Sequence, residues 1–240
     1  MRELSIRLRK LRNRAILVVL LMVFAGYLSK STQQTDLAIV KAKGRLVMLT
    51  LPGPTTYFED GRGKNGFDYL LAKAFADSLG VELEVKVVPT LRRLLLSVGG
   101  PQGDFAAANL VKTAVRDKSL SFAKPYLEVT QKLIYRGGSK RPRSLDRLEG
   151  ELVVIADSSH SENLTKLKDK HPNLKWREQD NAEMSELIRK VHDGEISYSV
   201  VDSLSYLINR HIYPKARSAM DISEPQPIAW AFPSHNDGTV

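Results

Sequence analysis

The chain has 240 residues, 42% of them hydrophobic and 26% charged, with a net charge of +9 and no cysteine. That composition supports a packed core in one large or two small domains. The lack of cysteine excludes disulfides, thiolate zinc sites, a thiol nucleophile and a cysteine-linked lipid anchor.

The positive charge is concentrated at the start. Arg2, Arg7, Arg9, Lys10, Arg12 and Arg14 stand against Glu3, which leaves a net +4 for everything after residue 14. With no basic motif interleaved with aromatics, nucleic acid is not an expected partner. Residues 15–28 form an uncharged apolar run. At about 1.5 Å per residue it is shorter than a ~30 Å hydrocarbon core, which suits a signal peptide or an anchor in a thinned bilayer. Residues 1–30 are therefore read as signal peptide or membrane anchor and 31–43 as a polar linker. The positive-inside rule places the remainder outside the cytoplasm, in the periplasm.

Regular structure is expected from residue 45. Residues 46–50 read as a short apolar strand, broken by Pro52-Gly53-Pro54. In 66–80 the positions Phe67, Leu70, Leu71, Ala74, Phe75 and Leu79 share one helical face, and Gly80 can supply a stop. Val81, Leu83, Val85 and Val87 then alternate with charged residues as a strand. A second helix is expected over 91–98, and a continuous apolar strand over 105–110 suits a parallel sheet. Residues 127–135 read as extended, and the polar stretch 136–143 as a crossing between lobes. The pattern then restarts: strands at 152–155, 174–177 and 196–201 alternate with helices at 162–169, 183–193 and 203–211. A last strand is expected over 228–232. Alternating elements of this kind build βαβ units. The fold class is α/β, with lobe 1 over 44–136, lobe 2 over 137–220 and a return to lobe 1 over 221–240. No closing helix follows Pro233, so the chain is expected to be a C-terminally truncated fragment of a longer protein.

The order of motifs resembles the extracellular solute-binding proteins of the polar amino-acid type. The likeness rests on Gly66-Phe67-Asp68-Tyr69-Leu70-Leu71-Ala72, on Asp104-Phe105-Ala106-Ala107-Ala108 and on Phe122-Ala123-Lys124-Pro125-Tyr126. It implies a two-lobed, periplasmic-binding-protein-like (type II) fold with a small-molecule ligand between the lobes. A further likeness, to the N-terminal part of membrane-bound lytic murein transglycosylases, rests on Gly66-Phe67-Asp68-Tyr69 and on Arg141-Pro142-Arg143-Ser144-Leu145. It also rests on Ile196 to Ser203 and on Asp221-Ile222-Ser223-Glu224-Pro225-Gln226-Pro227. It implies a sensing domain for an amino-acid or muropeptide ligand, tethered to the membrane and associated with peptidoglycan. No Glu-Ser helix motif of a lysozyme-like domain is present, so no catalytic residue, and no turnover by this chain, is expected. The alternative is the binding component of a polar amino-acid importer.

The resemblance also implies site residues. A zwitterionic amino acid needs a cation for its carboxylate and an anion for its ammonium, and a guanidinium matches a carboxylate through two parallel bonds. The matching positions are Arg116 and Asp202. Thr113 retains one of two family hydroxyls, while Val111 and Asn109 stand where a Thr and a Gly are usual, which implies altered carboxylate recognition. Ser159 and His160 fall at a helix start suited to an anion, with N-capping by Ser159 or Ser161 an equal reading and a solvent-facing His160 the blander one. Tyr57 matches a ring that stacks on ligands, although a packed loop is the favoured reading; Trp176 and Trp230 are expected in the core. Asp68, set against Glu59 or Asp60, reads as a surface residue. The histidines show no metal-ligand spacing, and neither metal nor cofactor is expected.

Overall fold

The computed structural model describes residues 36–98 and 100–234. The expected signal or anchor at 1–30 lies outside the described residues. Among those described, no helix is long and apolar enough to cross a membrane. Helix α1 (Asp36–Lys43) takes up most of the stretch expected as linker. Its sequence, Asp-Leu-Ala-Ile-Val-Lys-Ala-Lys, has no helix breaker, and its alanines and lysines favour the helix.

Lobe 1 is built on a five-stranded sheet. Strands β1 (Arg45–Thr50), β4 (Glu82–Val87) and β5 (Phe105–Ala106) run parallel. Strand β14 (Ala231–Pro233) returns antiparallel between β5 and β6 (Leu120–Phe122), giving the order β4-β1-β5-β14-β6. A hairpin of β2 (Phe58–Asp60) and β3 (Gly63–Asn65) lies before helix α2 (Phe67–Leu79); helix α3 (Leu91–Ser97) follows β4. Strand β1 is buried at five of its six positions, as an apolar run inside a parallel sheet should be. The expected strand 105–110 keeps only two residues in the ladder. Asn109 then turns the chain at φ +51, which a short polar side chain tolerates better than most.

Helix α2 forms where its periodicity places it and ends on Gly80 at φ +71. Its buried face differs from the expected one. Asp68, Ala72 and Ala76 point inward, while Phe67, Leu70 and Leu71 are 45%, 55% and 37% exposed. The small alanines let the helix lie close to the sheet, and fixed hydrogen-bond partners turn Asp68 inward, as described below. Entry to the helix needs Gly66: its φ is +125, and a Cβ there would sit 2.3 Å from the Thr56 carbonyl oxygen.

Lobe 2 holds strands β8 (Gln131–Arg136), β9 (Leu152–Ile155), β10 (Arg177–Gln179), β11 (Tyr198–Asp202) and β12 (Ala216–Asp221), in the order β10-β9-β11-β8-β12. Helices α4 (Ser159–Leu167), α5 (Met184–Asp193) and α6 (Ser203–Asn209) connect them. Leu133, Val154, Leu164, Leu174 and Val200 form the core on one side of the sheet, and Ile134, Val153, Leu187, Ile188, Val191 and Val201 on the other. Trp176 packs at the edge of the first cluster.

The crossing between lobes lies earlier than the polar stretch 136–143. Strand β8 already pairs with β11 and β12, so the chain has reached lobe 2 by Gln131. The link is a two-stranded ladder of β7 (Leu127–Val129) and β13 (Gln226–Ile228). The extended segment 127–135 is therefore two strands in two sheets, and the strand expected at 228–232 splits the same way into β13 and β14. Gln131, 1% exposed, ties this junction: its amide donates to the Ser159 carbonyl at 3.0 Å and to Gln226 Oε1 at 2.9 Å, and accepts from Asn163 Nδ2 at 3.0 Å.

Candidate functional site

In open α/β sheets, ligand crevices form beyond the carboxyl ends of the strands. Here two sheets turn those ends toward one cleft of about 170 Å³. Lobe 1 contributes Leu51 to Thr56 after β1, Pro89 to Arg92 after β4, and Ala108 to Val111 after β5. Lobe 2 contributes Ile155 to His160 at and after the end of β9, Asp180 to Ser185 after β10, Asp202 at the end of β11, and Ser205 and Asn209 of α6.

Arg116 and Asp202 both line this cleft, from opposite lobes. Arg116 starts a 3-10 turn (Arg116–Lys118) and is 5% exposed. Its Nη1 donates to the Val111 carbonyl at 2.9 Å and its Nη2 to the Asp157 carbonyl at 3.2 Å. Nε stands 3.7 Å from Glu162 Oε1 and makes no hydrogen bond. Burial lowers the guanidinium pKa, opposed by Glu162 and Asp157. Asp202 caps α6, accepting the Ser205 N–H at 2.8 Å and the Ser205 hydroxyl at 2.7 Å. Asn109 Nδ2 reaches across from lobe 1 to its Oδ2 at 3.3 Å. The lobes are also joined by Arg92 Nε and Asp157 Oδ2, 2.9 Å apart.

Two of the resemblance motifs, together with Asn109 just past the third, meet at one carboxylate that the sequence reading left at the surface. Asp68 is fully buried. It accepts the Asn109 N–H at 2.6 Å and, closely, the Tyr126 hydroxyl. Desolvation raises its pKa to about 6 against the lowering effect of those bonds. Asp68 thus holds the Asn109 turn, and Asn109 in turn meets Asp202. The signal for Asn109 was present in the sequence, because Asn replacing a family Gly points to a left-handed backbone. The Arg92–Asp157 pair carries no local pattern and could not be read in advance.

His160 lines the cleft and is 5% exposed, which corrects the solvent-facing reading. Neither ring nitrogen has a hydrogen-bond partner. Burial pushes its pKa down to about 4, with Asp202 raising it and Arg116 lowering it, so the ring is neutral at pH 7. Ser159 also lines the cleft, but Ser158 is the cap of α4, accepting the Ser161 N–H at 3.3 Å. Thr113 and Tyr57 are not among the lining residues. The Thr113 hydroxyl accepts the Arg116 N–H at 3.3 Å, which fixes the 3-10 turn. Tyr57 packs edge-on against Tyr69 with ring centroids 5.5 Å apart, and with Phe58 it lines an open pocket that adjoins the cleft through Pro52, Gly53, Pro54 and Glu183. Trp230 sits in an aromatic cluster with Phe75, Phe105 and Tyr126. Among the described residues no group of His, Asp and Glu is placed to hold a metal ion.

Residues 46–215 match the model of the bacterial extracellular solute-binding proteins, family 3. The chain is 45% identical over 97% of its length to a protein of Saccharophagus degradans named membrane-bound lytic murein transglycosylase F, covering 47% of that protein. A protein of the same name from Cellvibrio japonicus is 41% identical over 100% of this chain and 49% of its own length. The chain thus spans about half the length of the curated relatives it matches. Among solved structures, an ancestral arginine-binding protein bound to arginine superposes with a TM-score of 0.70 at 24% identity, over 81% of this chain and 87% of that one. That likeness establishes the two-lobed periplasmic-binding-protein fold. With the family model covering most of the sequence, this chain belongs to the bacterial extracellular solute-binding proteins, family 3.

Proposed function

We propose that the chain is an extracytoplasmic sensing domain, tethered to the membrane by its N-terminal segment, that binds a small amino-acid or muropeptide-like zwitterion between its lobes. The supporting observation is the convergence of Arg116 and Asp202, one from each lobe, on a single cleft. Arg116 would take the carboxylate and Asp202 the ammonium. Both groups are engaged by protein atoms: the guanidinium by the carbonyls of Val111 and Asp157, the carboxylate by Ser205 and Asn109. A ligand would therefore replace cross-lobe bonds, and its occupancy would bias how the lobes sit. A ligand shifts such an equilibrium only through its different affinities for the two arrangements.

The names of the relatives favour a regulatory role beside a peptidoglycan-cleaving domain over service to an importer. Glycan cleavage would belong to the half of those relatives that this chain does not cover, so the chain alone should release no muropeptide from murein.

The test is a thermal-shift screen of the protein against amino acids and anhydro-muropeptides, repeated with Asp202→Asn. Asparagine still caps α6 through its side-chain oxygen, so the fold is retained while the charge is removed. A ligand-dependent rise in the wild type that Asp202→Asn abolishes supports the reading. An equal rise in both proteins, or none with either class of compound, refutes it.

A further inference from the structure

The stretch expected as a lobe crossing has no such role, and its charges remain to be explained. Residues 140–149 lie wholly in lobe 2, between β8 and β9, and form one wall of a groove of about 780 Å³. The other wall is Tyr198 of β11 with Ala219 and Met220 of β12. Strand β12 is an edge of its sheet, and its register shifts between Ser218 and Met220, leaving Ala219 outside the ladder. Arg141 answers that irregularity: its Nε donates to the Ala219 carbonyl at 3.1 Å, and Nη2 donates to the same oxygen. A carbonyl holds the guanidinium in place but does not neutralise it.

The groove carries Lys140, Arg141, Arg143 and Arg147 against Glu149 alone. Lys140 and Glu149 are paired at 3.4 Å on the surface. Among the described residues Arg143 and Arg147 have no carboxylate partner, and both are exposed. Pro142 between them is buried and anchors the segment. This is a concave row of guanidiniums, one pinned in position and two free, with none of its lining shared with the interlobe cleft. Guanidinium forks pair carboxylates bidentately. A groove admits a chain, whereas a bilayer surface meets flat or protruding cations.

We propose that this groove is a second binding site, taking a carboxylate-bearing glycopeptide strand such as the stem peptides of murein. The site would hold the domain on its polymer independently of what occupies the cleft.

The experiment is co-sedimentation of the full 240-residue protein with purified murein sacculi. It is compared with Arg143→Gln/Arg147→Gln, and with sacculi whose carboxylates have been amidated. Both arginines are exposed and unpartnered, so the double variant should melt as the wild type does; Lys140→Gln serves as a second, milder variant. Binding to sacculi should weaken about tenfold in the double variant, weaken less in Lys140→Gln, be lost on amidated sacculi, and fall with salt. The double variant should keep the wild type's amino-acid-dependent thermal shift, because neither arginine lines the cleft, and this separates the two sites. Equal sedimentation of wild type and double variant would overturn the proposal. So would a double variant that binds sacculi normally but loses binding to phosphatidylglycerol vesicles, which would assign the groove to a membrane surface.

Discussion

Two buried titratable groups give the domain opposing responses to acid, and removing either one should unmask the other. His160 is held neutral, with its pKa lowered from 6.5 to about 4. It binds fewer protons folded than unfolded between those values, so stability is lost as pH falls through that window. Between about pH 7 and pH 5, linkage with these values gives a loss of about 2 kcal/mol. Asp68 acts the other way, because its pKa is raised from 3.8 to about 6. It binds more protons folded than unfolded, so the same acidification returns about 1 kcal/mol. The wild type should therefore change by only about 1 kcal/mol from these two groups. His160→Leu removes the acid-labile contribution, and its stability should rise by about 1 kcal/mol on going from pH 7 to pH 5. Asp68→Asn should instead fall by about 2 kcal/mol. Urea unfolding at the two pH values, with m held constant as a check on the end states, reads each difference. Parallel pH profiles for wild type and both variants would refute the burial argument for these groups.

Other perturbations have equally specific outcomes. Gly66→Ala places a Cβ against the Thr56 carbonyl at a positive φ; it should destabilise by about 2 kcal/mol or more in chemical denaturation. Leu164→Ala removes a fully buried side chain from lobe 2 and should cost about 2–5 kcal/mol, read as a lowered unfolding midpoint. Arg92→Gln breaks a cross-lobe pair whose arginine is 66% exposed. It should cost no more than about 1 kcal/mol, less in high salt; a larger effect would mean the pair is the principal latch between lobes.

Much of the architecture could be read from the sequence because local pattern and burial agree. The run 46–50 and the alternation after Gly80 identify their strands, and the 184–193 periodicity places Leu187, Ile188 and Val191 inward. The reading failed where tertiary partners decide. Periodicity put Phe67, Leu70 and Leu71 in the core, but hydrogen bonds from Tyr126 and Asn109 turned Asp68 inward instead. A continuous extended segment at 127–135 gave no sign that the chain changes sheets within it, since β7 and β8 are distinguished only by their distant partners. At the site, Arg116 and Asp202 were expected from their position in a familiar motif order, and both line the cleft. Thr113 and Tyr57 were expected there by the same order; Thr113 holds the 3-10 turn, and Tyr57 packs on Tyr69 as the favoured packed-loop reading had it. His160 could not be read as buried, because its environment comes from both lobes.

The proposed ligand site draws on both lobes. Titration of the isotope-labelled protein with an amino acid or anhydro-muropeptide that raises its melting temperature, followed through amide chemical shifts, tests it directly. The expected result is concerted movement of the amides of Asn109 and Arg116 in lobe 1 and of Asp157, His160 and Ser205 in lobe 2. Shifts confined to one lobe, or centred away from the cleft, would contradict it.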